Sequence, residues 1–312
     1  MEIITLGKRI LPEKRRGKLK KLLNNSYGLR IMEAHSGLSA IVSDSCRYQT
    51  KRNQTTQFDG LWVSSLTSSA SKGLPDTELS SIERRMETIQ EVLNVTEKLL
   101  IVDGDTGGDV VNFEYTCCTL ESMGVSAIII EDKQYPKRNS LAAGAKHKLE
   151  DPHVFANKIR RARKVLASDD FMIFARLESL ISGDGIEDAI SRARIYLLAG
   201  ADGIMIHSKD KNPYEIYTFL EEYKRICKET GLAKPIICVP TTYNNVTDRE
   251  LFEHGANIVI HANHLLRAAH LAMHNTCLSI LQNDRGLEAE KLCTSIPELF
   301  EVVGFNEISL RE

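Results

Sequence analysis

Eight short apolar runs recur along the chain, each followed by polar or glycine residues and then by a segment with apolar residues at helical spacing. The runs cover residues 29–34, 60–64, 99–103, 126–131, 171–176, 203–207, 235–239 and 257–261. Helical segments between them include residues 82–93, 112–123, 152–166, 186–198 and 214–230. Most runs are continuous rather than alternating, which is typical of parallel strands covered by helices. Eight such strand–helix units predict an α/β fold, a single (β/α)8 barrel.

The barrel is expected to occupy residues 29–312 together with the C-terminal helices, and residues 1–28 are expected to form an N-terminal extension with a first helix. Residues 265–281 have the spacing of a long amphipathic helix, and residues 286–303 are predicted to be helical as well. A (β/α)8 barrel needs one helix after its last strand, so this end of the chain carries more helix than the barrel requires.

The basic stretch at residues 12–21 allows two interpretations. It is either a nucleic-acid-binding segment or a solvated helix whose Leu19, Leu22 and Leu23 face the body of the protein. A single short charge run is common on protein surfaces, which favours the second interpretation.

Composition excludes several classes of protein. With 42% apolar and 26% charged residues among 312, the chain has enough material for a large core. Its net charge of −2 gives no general attraction to nucleic acid or membrane, and no apolar run approaches the roughly 20 residues of a membrane span. The seven cysteines lack metal-binding spacing, and the N-terminus lacks the pattern of a signal peptide. A cytoplasmic protein with free thiols is therefore expected.

Polar side chains follow all eight predicted strands. They are Glu33 and His35; Trp62, Ser64 and Ser65; Asp103 and Asp105; Glu131 and Lys133; Arg176 and Glu178; His207 and Ser208; Thr241 and Thr242; Asn263 and His264. Barrel enzymes build their active sites from several strands at this end of the barrel. The pattern therefore predicts an active site at the carboxyl ends of the strands.

Asp103 and Asp105 stand two residues apart where the third strand ends, and Glu131 ends the next strand. Carboxylates without a neighbouring His or Cys suit Mg²⁺, which takes few protein ligands and keeps several waters. Asp76, in a Gly-Leu-Pro-Asp segment, could contribute through water. The alternative is a capped tight turn, since Asp and Gly are ordinary turn residues.

The segment after the fourth strand reads Glu-Asp-Lys-Gln-Tyr-Pro-Lys-Arg-Asn-Ser-Leu at residues 131–141. So many charges and amides in one short loop suit a mobile lid over an anionic substrate, between residue 132 and about residue 148, with Gly144 as a hinge. The alternative is a solvated loop without a specific role.

Three features resemble the phosphoenolpyruvate mutase / isocitrate lyase superfamily. They are the Asp-x-Asp-Thr-Gly turn at residues 103–107, the loop at residues 131–141, and strands that end in Arg176 and His207. The similarity extends from about residue 29 to residue 303. It implies Mg²⁺ as cofactor, a small-molecule substrate with no nucleic acid and no membrane partner, and a homodimer or homotetramer whose eighth helix is exchanged between subunits. The alternative for that helix is packing on its own barrel.

The same resemblance implies roles for individual residues. Asp103 would bind Mg²⁺ directly, with Asp105 and Glu131 holding metal-bound water. Ser64 and Ser65 would bind the substrate carboxylate and the Trp62 indole would line the pocket, although the mutases commonly have Gly at the position of Ser65. Arg176, His207 and Asn139 would hold the phosphoryl group, and the catalytic group would comprise Asp76, Lys137, Asn139, Arg176 and His207. Without the resemblance, residues 62–65 would be a Ser-rich turn beside a core indole, and His207 would be a core histidine.

The lid sequence separates the branches of the superfamily. The lyases carry Lys-x-Cys-Gly-His where this chain has Asn139-Ser140, and the phosphonopyruvate hydrolases tend to carry Thr at the position of Asn139. Many members also have Gly-Tyr-Gly where this chain has Gly107-Gly108. The resemblance therefore implies a mutase that interconverts phosphoenolpyruvate and phosphonopyruvate in phosphonate biosynthesis. A hydrolase, a carbon–carbon lyase or decarboxylase, and an inactive scaffold are the alternatives.

Overall fold

Eight parallel strands close into a barrel in the computed structural model, which describes residues 10–51, 53–142, 144 and 147–305. The barrel strands are β1 Leu29–Glu33, β2 Gly60–Val63, β3 Leu99–Asp103, β4 Ala127–Glu131, β5 Met172–Leu177, β6 Gly203–Ile206, β7 Ile236–Cys238 and β8 Ile258–His261. Each strand pairs in parallel with the next along the chain, and β8 pairs with β1. The predicted (β/α)8 barrel is confirmed, and every predicted strand boundary lies within one residue of the observed one.

Helices surround the barrel. They are Pro12–Arg16, Lys18–Asn25, Gly37–Ser45, Ser65–Ala70, Ile82–Val95, Val110–Met123, Pro152–Val165, Ser179–Ser182, Gly185–Leu198, Tyr214–Thr230, Asp248–His254, His264–Asn283, the 3-10 helix Ala289–Leu292, and Ile296–Val302. A small antiparallel hairpin of Tyr48–Gln49 and Thr55–Thr56 lies between β1 and β2. None of the helices in the described segments combines the length and apolar character needed to cross a lipid bilayer.

Alternate residues of each strand face opposite sides of the barrel wall. Ile101 and Ile129 belong to the cluster that fills the interior, whereas Val102 and Ile128 pack outward against the helices. All four side chains are buried, and this explains why the strands read as continuous apolar runs.

The N-terminal basic stretch closes the floor of the barrel. Leu19 is fully buried in the interior cluster and Leu22 and Leu23 pack against it, as the surface-helix interpretation requires. The expectation of a fully solvated charged face is wrong at Arg15, which is only 3% exposed. Its guanidinium donates to the carbonyl oxygens of Leu93 and Thr96 at 2.9 and 2.6 Å, because carbonyls at a helix end lack intrahelical partners.

The predicted helical stretch at residues 286–303 is wrong as a single unit. It consists of the 3-10 helix Ala289–Leu292 and the helix Ile296–Val302, separated by extended backbone at Cys293. Ser295 caps the second helix by accepting from the Glu298 amide, and Pro297 lies in its first turn. Proline lacks an amide hydrogen and therefore favours the start of a new helix.

The long helix His264–Asn283 follows the last barrel strand. None of its residues is buried in the described single chain, and its apolar side chains Leu271 and Leu281 are 59% and 81% exposed. Exchange of this helix between subunits stays a prediction, as do the domain limits.

Candidate active site

A cavity opens at the carboxyl ends of the barrel strands, where the strand-end residues predict the active site. It is lined by the predicted residues Trp62, Ser64, Ser65, Asp76, Asp103, Glu131, Lys137, Asn139, Arg176 and His207, by the strand-end residues Thr241 and Asn263, and also by Ser140. Asp105 lies behind this lining, in a second cavity beside the first. The parallel barrel thus brings together residues that are far apart in the sequence.

Asp103 links the ends of β2 and β3. One carboxylate oxygen accepts from the Ser65 amide at 3.2 Å and from the Ser65 hydroxyl at 2.9 Å. The other oxygen accepts from the Asp105 amide at 3.0 Å. The turn predicted to bind a substrate carboxylate therefore donates to Asp103 in this structure, beside the buried indole of Trp62.

Asp105 is held between two cations. Its Oδ2 lies 2.7 Å from Nη2 of Arg85, and its Oδ1 lies 2.6 Å from Nζ of Lys137. Burial by itself would raise the pKa of Asp105, but Arg85 and Lys137 outweigh burial and hold the pKa well below its usual value. Asp105 is therefore ionised, and it fixes the Lys137 ammonium in place.

Arg85 is a site residue that the sequence reading missed. It lies on the helix Ile82–Val95, is fully buried, and also donates to the backbone carbonyl of Asp103. The available signal was a cation on the apolar face of an amphipathic helix, between Ile82 and Ile89. Such a residue is seldom buried without a partner.

The predicted lid lies across the cavity in this structure. Lys137 is 3% exposed, although Tyr135 two residues earlier is 68% exposed. The Lys137 ammonium is 2.8 Å from the Ser65 hydroxyl and 3.2 Å from Asp76 Oδ1. Asn139 Nδ2 donates to Asp76 Oδ2 at 2.6 Å. Asp76 therefore anchors two polar side chains of the lid, Lys137 and Asn139.

The Lys137 ammonium remains charged in this buried position. Burial by itself lowers the pKa of Lys137, but the surrounding carboxylates, Asp105 first, raise it well above its usual value. Gly144 has a φ of 70°, which glycine adopts readily, and its role as a hinge stays a prediction. Residues 143, 145 and 146 of the lid lie outside the described residues.

Arg176 and His207 meet at one end of the cavity. Arg176 Nη2 is 2.9 Å from His207 Nδ1 and 2.8 Å from the Ser140 hydroxyl. Burial and the adjacent Arg176 lower the pKa of His207. Glu178 Oε1 lies 3.1 Å from the same nitrogen, so the tautomer decides whether Nδ1 donates to Glu178 or accepts from Arg176. In the second case the proton is on Nε2, where it can be donated to an anion.

Glu178, one of the strand-end residues, contacts both of these groups. It is fully buried, and it pairs with Arg176, with His207 Nδ1 at 3.1 Å and with Lys133 Nζ at 2.8 Å. Its Oε2 also accepts from the Ser140 hydroxyl at 2.6 Å. Burial by itself would raise the pKa of Glu178, but the Arg176 and Lys133 charges hold it well below its usual value.

The carboxylate oxygens near Asp103 are of the kind that Mg²⁺ takes as ligands. Glu131 Oε1 is buried and has no hydrogen-bond partner among the described residues, an arrangement that costs free energy unless a cation or water occupies the space beside it. Burial raises the pKa of Glu131 to about 7. Among the described residues, no group of three or more His, Cys, Asp or Glu side chains is arranged to hold a metal ion.

Residues 19–281 match the profile of the protein family described as phosphoenolpyruvate phosphomutase. The chain belongs to this family. It is 34% identical to the phosphoenolpyruvate phosphomutase of Tetrahymena pyriformis, over 93% of this chain and 91% of that protein. It is 32% identical to the phosphonopyruvate hydrolase of Variovorax sp. (strain Pal2), over 92% and 93%.

A solved structure of phosphonopyruvate hydrolase in complex with oxalate and Mg²⁺ superposes with a TM-score of 0.82. The two sequences are 29% identical, and the match covers 96% of this chain and 98% of that one. The chain is thus an enzyme of the phosphoenolpyruvate mutase / isocitrate lyase superfamily. Mutase and hydrolase relatives are similarly close, so membership alone does not choose between the two activities.

Proposed function

We propose that this enzyme is a Mg²⁺-dependent phosphoenolpyruvate mutase that interconverts phosphoenolpyruvate and 3-phosphonopyruvate, the first step of phosphonate biosynthesis. The observation that carries the proposal is the position of Asn139. Its side chain lines the cavity that Arg176 and His207 also line, and it is anchored to Asp76 by a 2.6 Å hydrogen bond. An amide donor at this point can hold the phosphoryl group until carbon recaptures it.

The two ends of the cavity suit the two ends of the substrate. A guanidinium and an imidazole N–H are good donors to a phosphoryl group, which places that group near Arg176 and His207. The backbone amides and hydroxyls of Ser64 and Ser65, beside Trp62, suit the carboxylate at the opposite end. The substrate would then replace Asp103 as the acceptor for part of the Ser65 donors.

Asp103 would hold Mg²⁺ directly, and Asp105 and Glu131 would hold it through water. When bound, the ion would stabilise the negative charge that develops on the enolate oxygen. The related hydrolase complex with oxalate and Mg²⁺ supports this cofactor.

The lid would exclude water during transfer. Lys137 and Asn139 are tied to Asp76, and Ser140 is tied to Glu178, so these three polar side chains of the lid point into the cavity. Phosphoryl transfer proceeds through a loose, metaphosphate-like group that water would capture if it had access. A closed lid therefore favours recapture by carbon 3 of the same pyruvyl fragment.

A phosphorus NMR time course with phosphonopyruvate and Mg²⁺ tests the proposed activity. We expect phosphoenolpyruvate as the main product, because transfer within a closed site outpaces capture by water. Phosphonopyruvate hydrolase is the second candidate, supported by the 32% identical relative. Inorganic phosphate as the main product would replace the mutase proposal with that hydrolase.

We also propose that the enzyme is a homodimer or homotetramer in which His264–Asn283 packs on a neighbouring subunit. Burying an exposed leucine contributes about 1.5–3 kcal/mol, and a symmetric dimer gains this twice. Sedimentation is expected to give at least twice the monomer mass for the wild type and a smaller mass for Leu281→Glu. The neighbouring Gln282→Glu serves as the control. A monomeric wild type would contradict the proposal.

A further inference from the structure

Glu78 connects three loops at the edge of the cavity. Its Oε1 accepts from the amide and the hydroxyl of Thr106 at 3.0 and 2.6 Å. Its Oε2 accepts from the backbone amide of Lys137 at 3.1 Å. One carboxylate therefore joins the loop after β2 to the turn after β3 and to the lid after β4.

The backbone at Glu78 supports a specific role for this side chain. Its φ is 59°, in the left-handed region that costs a residue with a Cβ about 1–2 kcal/mol. Glycine or asparagine would adopt this conformation more readily. Both carboxylate oxygens of Glu78 accept hydrogen bonds in this conformation. These hydrogen bonds offset the free-energy cost of the positive φ.

The contact between Glu78 and Lys137 lies at the point where the lid reaches the cavity. The Lys137 amide is fixed by Glu78, and the Lys137 ammonium is fixed by Asp105, 2.6 Å away. Thr106, the other partner of Glu78, directly follows Asp105 in the same turn. The backbone and the side chain of Lys137 are thus tied to one turn, the side chain directly and the backbone through Glu78.

We propose that Glu78 is a positioning residue, a latch that couples docking of the lid to the turn at residues 103–107. When the latch is engaged, the Lys137 ammonium sits in the cavity and water is excluded. When it is released, the Lys137 amide loses its hydrogen bond to Glu78, and the lid backbone at Lys137 can move away from the cavity. This inference deepens the proposed function, and its product measurement rests on that function.

The decisive variant is Glu78→Asn. Asparagine tolerates a positive φ, so the loop keeps its backbone conformation, but the side chain is one carbon shorter and uncharged. It cannot reach Thr106 and Lys137 together. Glu78→Gln keeps the length and one acceptor oxygen, and its effect should be intermediate. Glu83→Gln is the matched control, because Glu83 borders the same second cavity and is exposed.

Hydrogen exchange of residues 132–142, in the presence of Mg²⁺ and oxalate, measures docking of the lid without any turnover. We expect exchange of the Lys137 amide to accelerate about ten- to hundredfold in Glu78→Asn, the ratio that corresponds to loss of one charge-assisted hydrogen bond. The barrel strands should exchange as in the wild type. Unchanged exchange at Lys137, or equal acceleration throughout the barrel, would overturn the latch.

Product partition measures the consequence for the reaction. We expect Glu78→Asn to lower kcat more than it changes KM, and to raise the ratio of phosphate to phosphoenolpyruvate. That ratio does not depend on the fraction of folded enzyme, so a merely structural defect would leave it unchanged. An unchanged ratio in Glu78→Asn would therefore overturn the proposal. If the wild type acts on neither substrate but exchange still accelerates at Lys137, the proposed function fails and the latch stands.

Discussion

Replacing Asn139 with threonine is expected to redirect turnover of phosphonopyruvate from phosphoenolpyruvate towards pyruvate and inorganic phosphate. Asn139 uses its carbonyl oxygen to accept from the Leu141 amide at 2.9 Å and donates one N–H to Asp76. A second N–H remains for the phosphoryl group. Threonine is shorter and has one donor, so it leaves room for water beside that group.

Phosphorus NMR distinguishes the substrate and both phosphorus-containing products in one sample. Asn139→Ala, which removes both donors, should reduce kcat about a hundredfold or more, as loss of a donor to a developing charge typically does. Gln134→Thr is the control, because this residue is exposed on the same loop. A product ratio in Asn139→Thr equal to that of the wild type would refute the role given to the amide.

Removing the metal or its direct ligand is expected to abolish activity without unfolding the protein. EDTA should stop turnover and Mg²⁺ should restore it. Asp103→Ala should lose more than the about 10- to 100-fold that is typical for a residue acting through water. Kinetics in metal-depleted and Mg²⁺-supplemented buffer, with circular dichroism to verify folding, measure this. Full turnover by Asp103→Ala in metal-free buffer would contradict the assignment.

Asp105→Ala is the informative comparison, because its loss has two effects. The variant leaves the buried Arg85 without its carboxylate partner and removes one of the two carboxylates paired with Lys137, which keeps Asp76. Leaving a buried charge unpaired costs about 3–5 kcal/mol of stability. We therefore expect Asp105→Ala to lower the denaturation midpoint, whereas Asp103→Ala should mainly affect activity.

The cavity lining could be predicted from the sequence because chain order and barrel geometry together determine it. Strand ends of a closed parallel barrel meet at one face, so Arg176 and His207 had to lie near Asp103 once the eight strands were recognised. The lid was recognisable because its charges directly follow a buried strand. The chemical roles of these residues remain proposals.

Arg85 and Glu78 illustrate what could not be predicted. Arg85 lies on a helix outside the strand-end pattern, and Glu78 lies in a loop whose composition is ordinary for a turn. Their importance comes from contacts with Asp105 and Lys137, residues distant in the chain. A pattern of spacing contains no information on which loop folds over which strand end.

The sequence by itself determined the barrel, its strand boundaries and the face that carries the site. These follow from local burial, since a strand covered on both sides must be apolar throughout its length. Only the tertiary structure decided that Arg15 binds the carbonyls of Leu93 and Thr96, that Arg85 and Lys137 share Asp105, and that Glu78 ties the lid to the turn. Each of these depends on a buried polar group finding its partner across the fold, because a buried charge is stable only when it is paired.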